Sequence, residues 1–453
     1  MFKRIPALSL FLSLVGAVSI WSPAETVARN VTFIRDAEIE NTIATYAAPL
    51  FQAAGLEPSA IRIYIVKDKA LNAFVAGGQK LFVNTGLLMH SRDPGEVIGV
   101  IAHEAGHISG GHLSRTHDAM SNASAQAIIG AILGGIAAIG TGRGDVGGAI
   151  IAGGQEMAKR SFLMYSRTQE SAADQAALKY LESTGQSARG LADLLASLGD
   201  QELLSTRHQD PYVRTHPITR DRILSIESHV AQARHSDTPA PAKIIAMHRR
   251  MVGKLRGFTE PTARTLRRYK ETDTSVEARY ARAVAFSRRP DLDRALPLID
   301  GLLAEYPHDP YFHEFRGQML FESGRASEAL ASYTMAAQLN PDSPLILRGL
   351  AQAQLELEDP ALLEGAIANL RAALHHGATS PFAWRQLAIA YGRNGQMGES
   401  ALAMAEEAMM KNDDAAARHY AQRAEKLLPK GSPGWLHAND ILAATKKEKK
   451  KKK

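Results

Sequence analysis

Two alanines and four prolines frame the second half of the chain. Ala295 and Ala329 lie 34 residues apart, as do Pro307 and Pro341, and Pro310 and Pro344. Each alanine precedes its proline by twelve residues, a spacing that returns at Ala417 and Pro429. The stretches DRALPLIDGLLAEYP, SEALASYTMAAQLNP and ARHYAQRAEKLLP are versions of one helix running into a proline. Small side chains let paired helices approach closely, and proline, which lacks an N–H and clashes with the preceding turn, closes the second helix of each pair. Such a unit buries its apolar face only by stacking on its neighbours. The region 245–445 is therefore constrained to an all-α solenoid.

The period and the alanine placement are similar to tetratricopeptide repeats. Two units are clear, and the spacing loosens after Pro344, with Pro381 following at 37 residues. The first half is patterned differently. Residues 36–54 carry Ile39, Ile43, Tyr46 and Leu50 at helical spacing, and Ile61 to Val66 alternates like a half-buried strand. Two short β-type runs, AFV and KLFV, flank Gly77-Gly78 and predict a hairpin, whose Lys80 to Val83 strand is a candidate edge for an extended peptide. A long helix is expected from about 156 to 184, ended by Gly185.

Chemistry concentrates in VIGVIAHEAGHISGGH, Val97 to His112. On a helix, His103 and His107 share a face and can hold one Zn²⁺, while Glu104 lies about 100° round, placed to take a proton from a water at the ion. A third ligand must follow. The pattern with a further His six residues after the second fails, because position 113 is Leu and His112 falls one residue early. YSRTQESAADQAALKYL offers Glu170 instead, which can complete a His₂Glu site with a fourth position open to water. Asp174, one turn on, can then accept from a ligand imidazole. The spacing Gly142-x-Gly144-x-x-Gly147 spells a dinucleotide fingerprint, but no strand precedes it and it is rejected.

Charge narrows the partners. Fifty-three Lys plus Arg against forty-seven Asp plus Glu leave +6, and the last eight residues, KKEKKKKK, account for all of it. The remainder is neutral, which excludes a basic nucleic-acid face, and a composition 45% hydrophobic and 22% charged excludes global disorder. The tail, 446–453, reads as a solvated end or a tether for peripheral contact with anionic membrane lipid. Lys3 and Arg4 before the apolar run Ile5 to Ile20, with small residues up to Ala24, predict a signal peptide over 1–24. Retained, that segment would make a membrane anchor. Without cysteine the exported chain has no disulfide framework. The Gly-rich stretch 127–154 is expected to act as a flap over the cleft or at a membrane surface.

HEAGH, then SRTQESAADQAA, then THPITRDRI from Thr215 resemble the zinc metallopeptidases of family forty-eight, supported upstream by RDAEIE and NAFVAGGQKLFVNTGLL. The resemblance covers roughly 30–235. With a signal peptide before it and repeats after it, the arrangement resembles the branch of that family found in bacterial envelopes. It implies a mainly α chain, an α+β zinc-peptidase domain with a small sheet followed by the repeat solenoid. It further implies a periplasmic zinc-dependent endopeptidase with one Zn²⁺ per chain, acting in envelope protein quality control on polypeptide substrates such as misfolded envelope proteins. The repeats would recruit substrates or protein partners. His103, His107 and Glu170 would be ligands, Glu104 the general base and Asp174 the support of a ligand His. His216 would reach the metal, either stabilising the oxyanion or occupying the fourth position and holding the enzyme off. Arg222 is a weaker, structural candidate. The alternative is a chaperone or assembly adaptor acting through its repeats, with the zinc site latched or silent.

Overall fold

The computed structural model describes residues 32–76, 79–112, 167–199, 211–377 and 380–446. The segment 1–24 expected to be a signal peptide, Gly77-Gly78, the Gly-rich stretch 127–154, the first part of the helix expected from 156 and the lysines from 447 lie outside the described residues.

The chain is mainly α-helical, with one small sheet in its first half. Strand β1 (Phe33–Ile34) leads into α1 (Ala37–Ala53), whose N-cap Asp36 accepts from the Ile39 N–H. Ile39, Ile43, Tyr46 and Leu50 are all buried along one face of α1, as their spacing requires. Strands β2 (Arg62–Val66), β3 (Ala73–Ala76) and β4 (Lys80–Asn84) complete a sheet of order β1-β2-β4-β3. The β3–β4 hairpin forms in antiparallel register, Ala73 opposite Val83 and Ala76 opposite Lys80. The expectation that Lys80 to Val83 is an edge is corrected. β2 pairs in parallel along the other side of β4, Arg62 opposite Lys80 through Val66 opposite Asn84, so β4 is interior and the edge beside it is β3.

Helix α2 (Thr85–His90) follows, then α3 (Pro94–Ser109), which carries the HEAGH motif. Asp93 caps α3 by accepting from the Gly95 N–H, and Pro94 sits in the first turn, where its missing N–H costs nothing. Val97, Val100, Ile101, Ala102 and Ala105 lose all contact with solvent, so α3 is apolar nearly all round and runs through the middle of the core. Helices α4 (167–183), α5 (Arg189–Gly199), α6 (Pro211–Thr215) and α7 (Arg220–Gln232) follow, with α5 packed along α3 and α7 along α5.

Helix α8 (Ala242–Thr259) joins the two halves. Its Met251 and Leu255 are buried in the same core as α3, while its other side presents charge to the repeats. Arg250 Nη2 lies 2.8 Å from Glu38 Oε1 and its Nη1 2.5 Å from Asp309 Oδ2. Lys254 Nζ lies 2.7 Å from Asp36 and 3.4 Å from Glu38, and Tyr280 Oη donates to Glu38 Oε2 at 2.9 Å. Lys254 is only 1% exposed.

Beyond it lie α9 (Thr262–Arg268), α10 (Val276–Ser287), α11 (Leu292–Glu305), α12 (Pro310–Glu322), α13 (Ala326–Leu339), α14 (Pro344–Glu356), α15 (Leu363–His375), α16 (Pro381–Arg393), α17 (Met397–Met410), α18 (Asp414–Leu427) and α19 (Pro433–Ala444). Ala295, Ala329 and Ala417 are fully buried, each where its helix meets a neighbour. The prolines divide their work. Pro307 and Pro341 follow the ends of α11 and α13, while Pro310 and Pro344 open α12 and α14. No described helix is long and apolar enough to cross a membrane.

Candidate metal centre

Three segments meet at the buried end of α3: that helix, α4 and the turn after α6. The motif spacing puts His103 and His107 one turn apart on one face of that helix. Helix α4 brings Glu170 and Asp174 against them, and the turn after α6 brings His216. A Cβ on Gly106 would stand 2.8 Å from the Ala173 carbonyl oxygen, so the glycine inside HEAGH lets α4 come this close. His103, Glu104, His107, Glu170, Asp174 and His216 are all buried.

His103 Nε2 lies 3.0 Å from His107 Nε2 and 3.3 Å from Glu170 Oε2, and His107 Nε2 lies 3.2 Å from Glu170 Oε1. His216 Nδ1 stands 3.2 Å from both Glu170 oxygens and 3.4 Å from His103 Nε2. These four residues offer ligand atoms all within 4.8 Å of one another. Bonds of about 2.0–2.1 Å to a tetrahedral zinc put neighbouring donor atoms about 3.3–3.4 Å apart, close to the separations found.

The outer nitrogens explain why lone pairs converge. His103 Nδ1 lies 2.9 Å from Asp174 Oδ1. An ionised carboxylate only accepts, so Nδ1 keeps its proton and it is Nε2 that faces inward, where it can give its lone pair to an ion in exchange for its own proton. Electrostatics follow the same arrangement. Burial opposes the charge on His103, but Asp174 and Glu170 outweigh it and raise His103 to about 10. Burial, reinforced by the charge of His103, pulls His107 down to about 4 in spite of Glu170. Burial likewise works against Glu170, yet His216, His103 and His107 hold it well below the carboxylate range.

Glu104 is the exception. Both its oxygens are buried and have no hydrogen-bond partner among the described residues, the His216 Nε2 being 3.4 Å from Oε1. Burial pushes its carboxyl up, with His216 and His103 opposing. Strand β3 packs against α3, and the Val75 backbone is close enough to Glu104 to favour its charge. A buried acceptor with spare lone pairs beside a set of converging donors is arranged to receive a proton from something held between them.

Arg222 does more than its sequence signal suggests. Its Nε and Nη2 form a fork on Asp174 at 2.6 and 2.9 Å, its Nη1 lies 3.0 Å from Glu170 Oε2, and the same Nη1 donates to the Pro217 carbonyl at 2.6 Å. One planar guanidinium thus ties α4 to the backbone that carries His216. Sequence reading misses this because the reach spans two elements.

Comparison with known proteins agrees. Residues 34–230 match peptidase family M48, and tetratricopeptide repeats match over 263–310 and 280–344. The chain is a metalloprotease whose residues 34–230 are similar to peptidase family M48. A beta-barrel assembly-enhancing protease of Yersinia pestis is 22% identical over 346 residues, which cover 76% of this chain and 70% of that one. The corresponding protein of Escherichia coli is 21% identical, over 72% of this chain and 67% of its own. A putative member in Vibrio cholerae is 23% identical, and the match spans 59% of its length. The tetratricopeptide repeats of this metalloprotease imply protein partners besides its polypeptide substrates.

Proposed function

We propose that the chain is an exported zinc endopeptidase working on proteins of the bacterial envelope. The observation that carries the chemistry is the convergence of His103 Nε2, His107 Nε2 and Glu170 beside an unpartnered Glu104. In this reading His103, His107 and Glu170 hold one zinc ion, and Asp174 fixes the tautomer of His103. When bound, zinc acts as a Lewis acid toward a water and toward the scissile carbonyl. Glu104 takes the proton of that water on a carboxylate oxygen and delivers it to the leaving amide nitrogen. An extended substrate adds to the free side of β3, which packs beside Glu104. His216 Nε2, which has no hydrogen-bond partner among the described residues, donates to the oxyanion as it forms.

Export rests on the pattern of residues 1–24, and an envelope setting is supported by relatives named for β-barrel assembly. The repeats present substrates or partners to the peptidase domain, and the lysine tail serves as a tether to anionic lipid.

A second reading draws on a particular contact. His216 Nδ1 sits within 3.4 Å of His103 Nε2 and 3.2 Å of Glu170, where a fourth ligand would stand, so the site can be latched while the repeats act as an assembly adaptor. A Glu104→Gln variant separates the two. The peptidase reading expects zinc to be retained and peptide hydrolysis to fall about 10²–10⁴-fold. A variant that sustains envelope assembly as well as wild type would favour the adaptor.

A further inference from the structure

Asp174 accounts for the outer nitrogen of His103, but His107 has a different partner. Its Nδ1 lies 2.9 Å from Nδ1 of His112, with the two rings edge-on at 79° and their centres 5.0 Å apart. His112 is buried, 7% exposed, although it lies beyond the end of α3. The chain returns it to the helix through two glycines. Gly111 has φ +63°, a conformation side-chain-bearing residues rarely adopt, and it turns the chain back on itself. Gly110 supplies the space, since a Cβ there would stand 2.5 Å from His112 Nε2. Gln169 on α4 reaches the His112 carbonyl at 3.4 Å and braces the return.

The proton positions follow from the direction of the lone pairs. With His107 Nε2 facing Glu170 and His103, its proton resides on Nδ1, and that N–H donates to the lone pair of His112 Nδ1. His112 then carries its own proton on Nε2. We propose that His112 is a positioning residue for the metal centre, the acceptor that fixes the tautomer and ring orientation of His107 as Asp174 does for His103. This rests on the reading of the site as a zinc centre. The fold-back also explains why His112, at a spacing that fails for a ligand, is buried beside the site: it acts on a ligand rather than on the ion.

The test is the zinc affinity of the full chain, measured by competition with a chromophoric chelator, with the visible spectrum of the cobalt(II)-loaded protein as a second readout. His112→Leu removes the acceptor while keeping apolar bulk, and is expected to weaken zinc binding about 10–100-fold and to alter the cobalt bands. His112→Asn places Oδ1 where Nδ1 stands and is expected to remain within about threefold of wild type, since the hydrogen bond survives. Should the Leu variant unfold, Gly110→Ala, which keeps His112 but displaces its ring, is expected to show the same loss. Wild-type affinity in the Leu variant overturns the proposal, and so does an Asn variant as weak as Leu, which would show that only packing is at stake. A wild-type chain that binds no zinc overturns the metal-centre reading itself.

Discussion

Two clusters of buried ionisable groups lie on either side of the peptidase core, and they are satisfied in opposite ways. At the junction, Glu38 faces Arg250, Lys254 and the Tyr280 hydroxyl, while Asp36, Asp309 and Glu314 also lie against the two cations. Each of these charges has an opposite one within 3.9 Å, although Arg250 Nε and Glu314 Oε2 have no hydrogen-bond partner among the described residues. At the end of α3, His103, His107 and Glu170 turn their Nε2 and carboxylate atoms toward one point, and Glu104 has no hydrogen-bond partner among the described residues. A cluster closed on itself holds two halves of a molecule together, and a cluster left open has room for an ion and a reacting water. The difference lies in what the charges face, since both clusters are buried and rich in charge: at the junction cations meet carboxylates, whereas at the end of α3 several ligand atoms face one point.

Removing a charge should therefore have opposite effects at the two places. Glu38→Ala leaves Arg250 and Lys254 each short of a partner in a largely buried site, and is expected to destabilise the chain by about 3–5 kcal/mol in urea unfolding. A change below 1 kcal/mol would mean that the junction is not the closed cluster described. Glu104→Gln acts the other way. Burial raises the Glu104 carboxyl, so the folded state binds its proton more tightly than the unfolded chain and loses stability as pH rises. Replacing it is expected to stabilise the metal-free protein by about 1–3 kcal/mol at neutral pH, while hydrolysis is lost. Destabilisation instead would show that Glu104 has a structural partner. A smaller effect concerns protons. His103, raised to about 10, is protonated in the metal-free protein at pH 7, whereas a zinc ligand must be neutral. Zinc binding at pH 7 should release about one proton, and apparent affinity should rise about tenfold per pH unit toward pH 10. Calorimetry in two buffers of different ionisation heat measures this, and a binding enthalpy independent of buffer would contradict it.

What the sequence made legible is what depends on local geometry. The pairs His103–His107 and Glu170–Asp174 are each four residues apart on a helix, so their shared faces follow from the helical period, and the buried alanines of the repeats follow from their 34-residue spacing. The contacts that sequence left unread are those made across elements. The hairpin of β3 and β4 was readable, but the pairing of β2 along β4 was not, and with it went the position of the edge. His112 could be tested as a ligand by spacing and set aside, yet its place against His107 depends on a turn through Gly111. Arg222 and the junction of Glu38, Arg250 and Lys254 each require segments distant in sequence to meet.

The central claim, that the open cluster is a zinc centre, is tested most directly by X-ray absorption at the zinc edge on the full chain loaded with one equivalent. The arrangement described predicts a tightly bound ion with nitrogen and oxygen neighbours at about 2.0–2.2 Å and the outer-shell scattering of at least two imidazoles, from His103 and His107. Zinc surrounded by water alone, or zinc lost on dialysis, would contradict it.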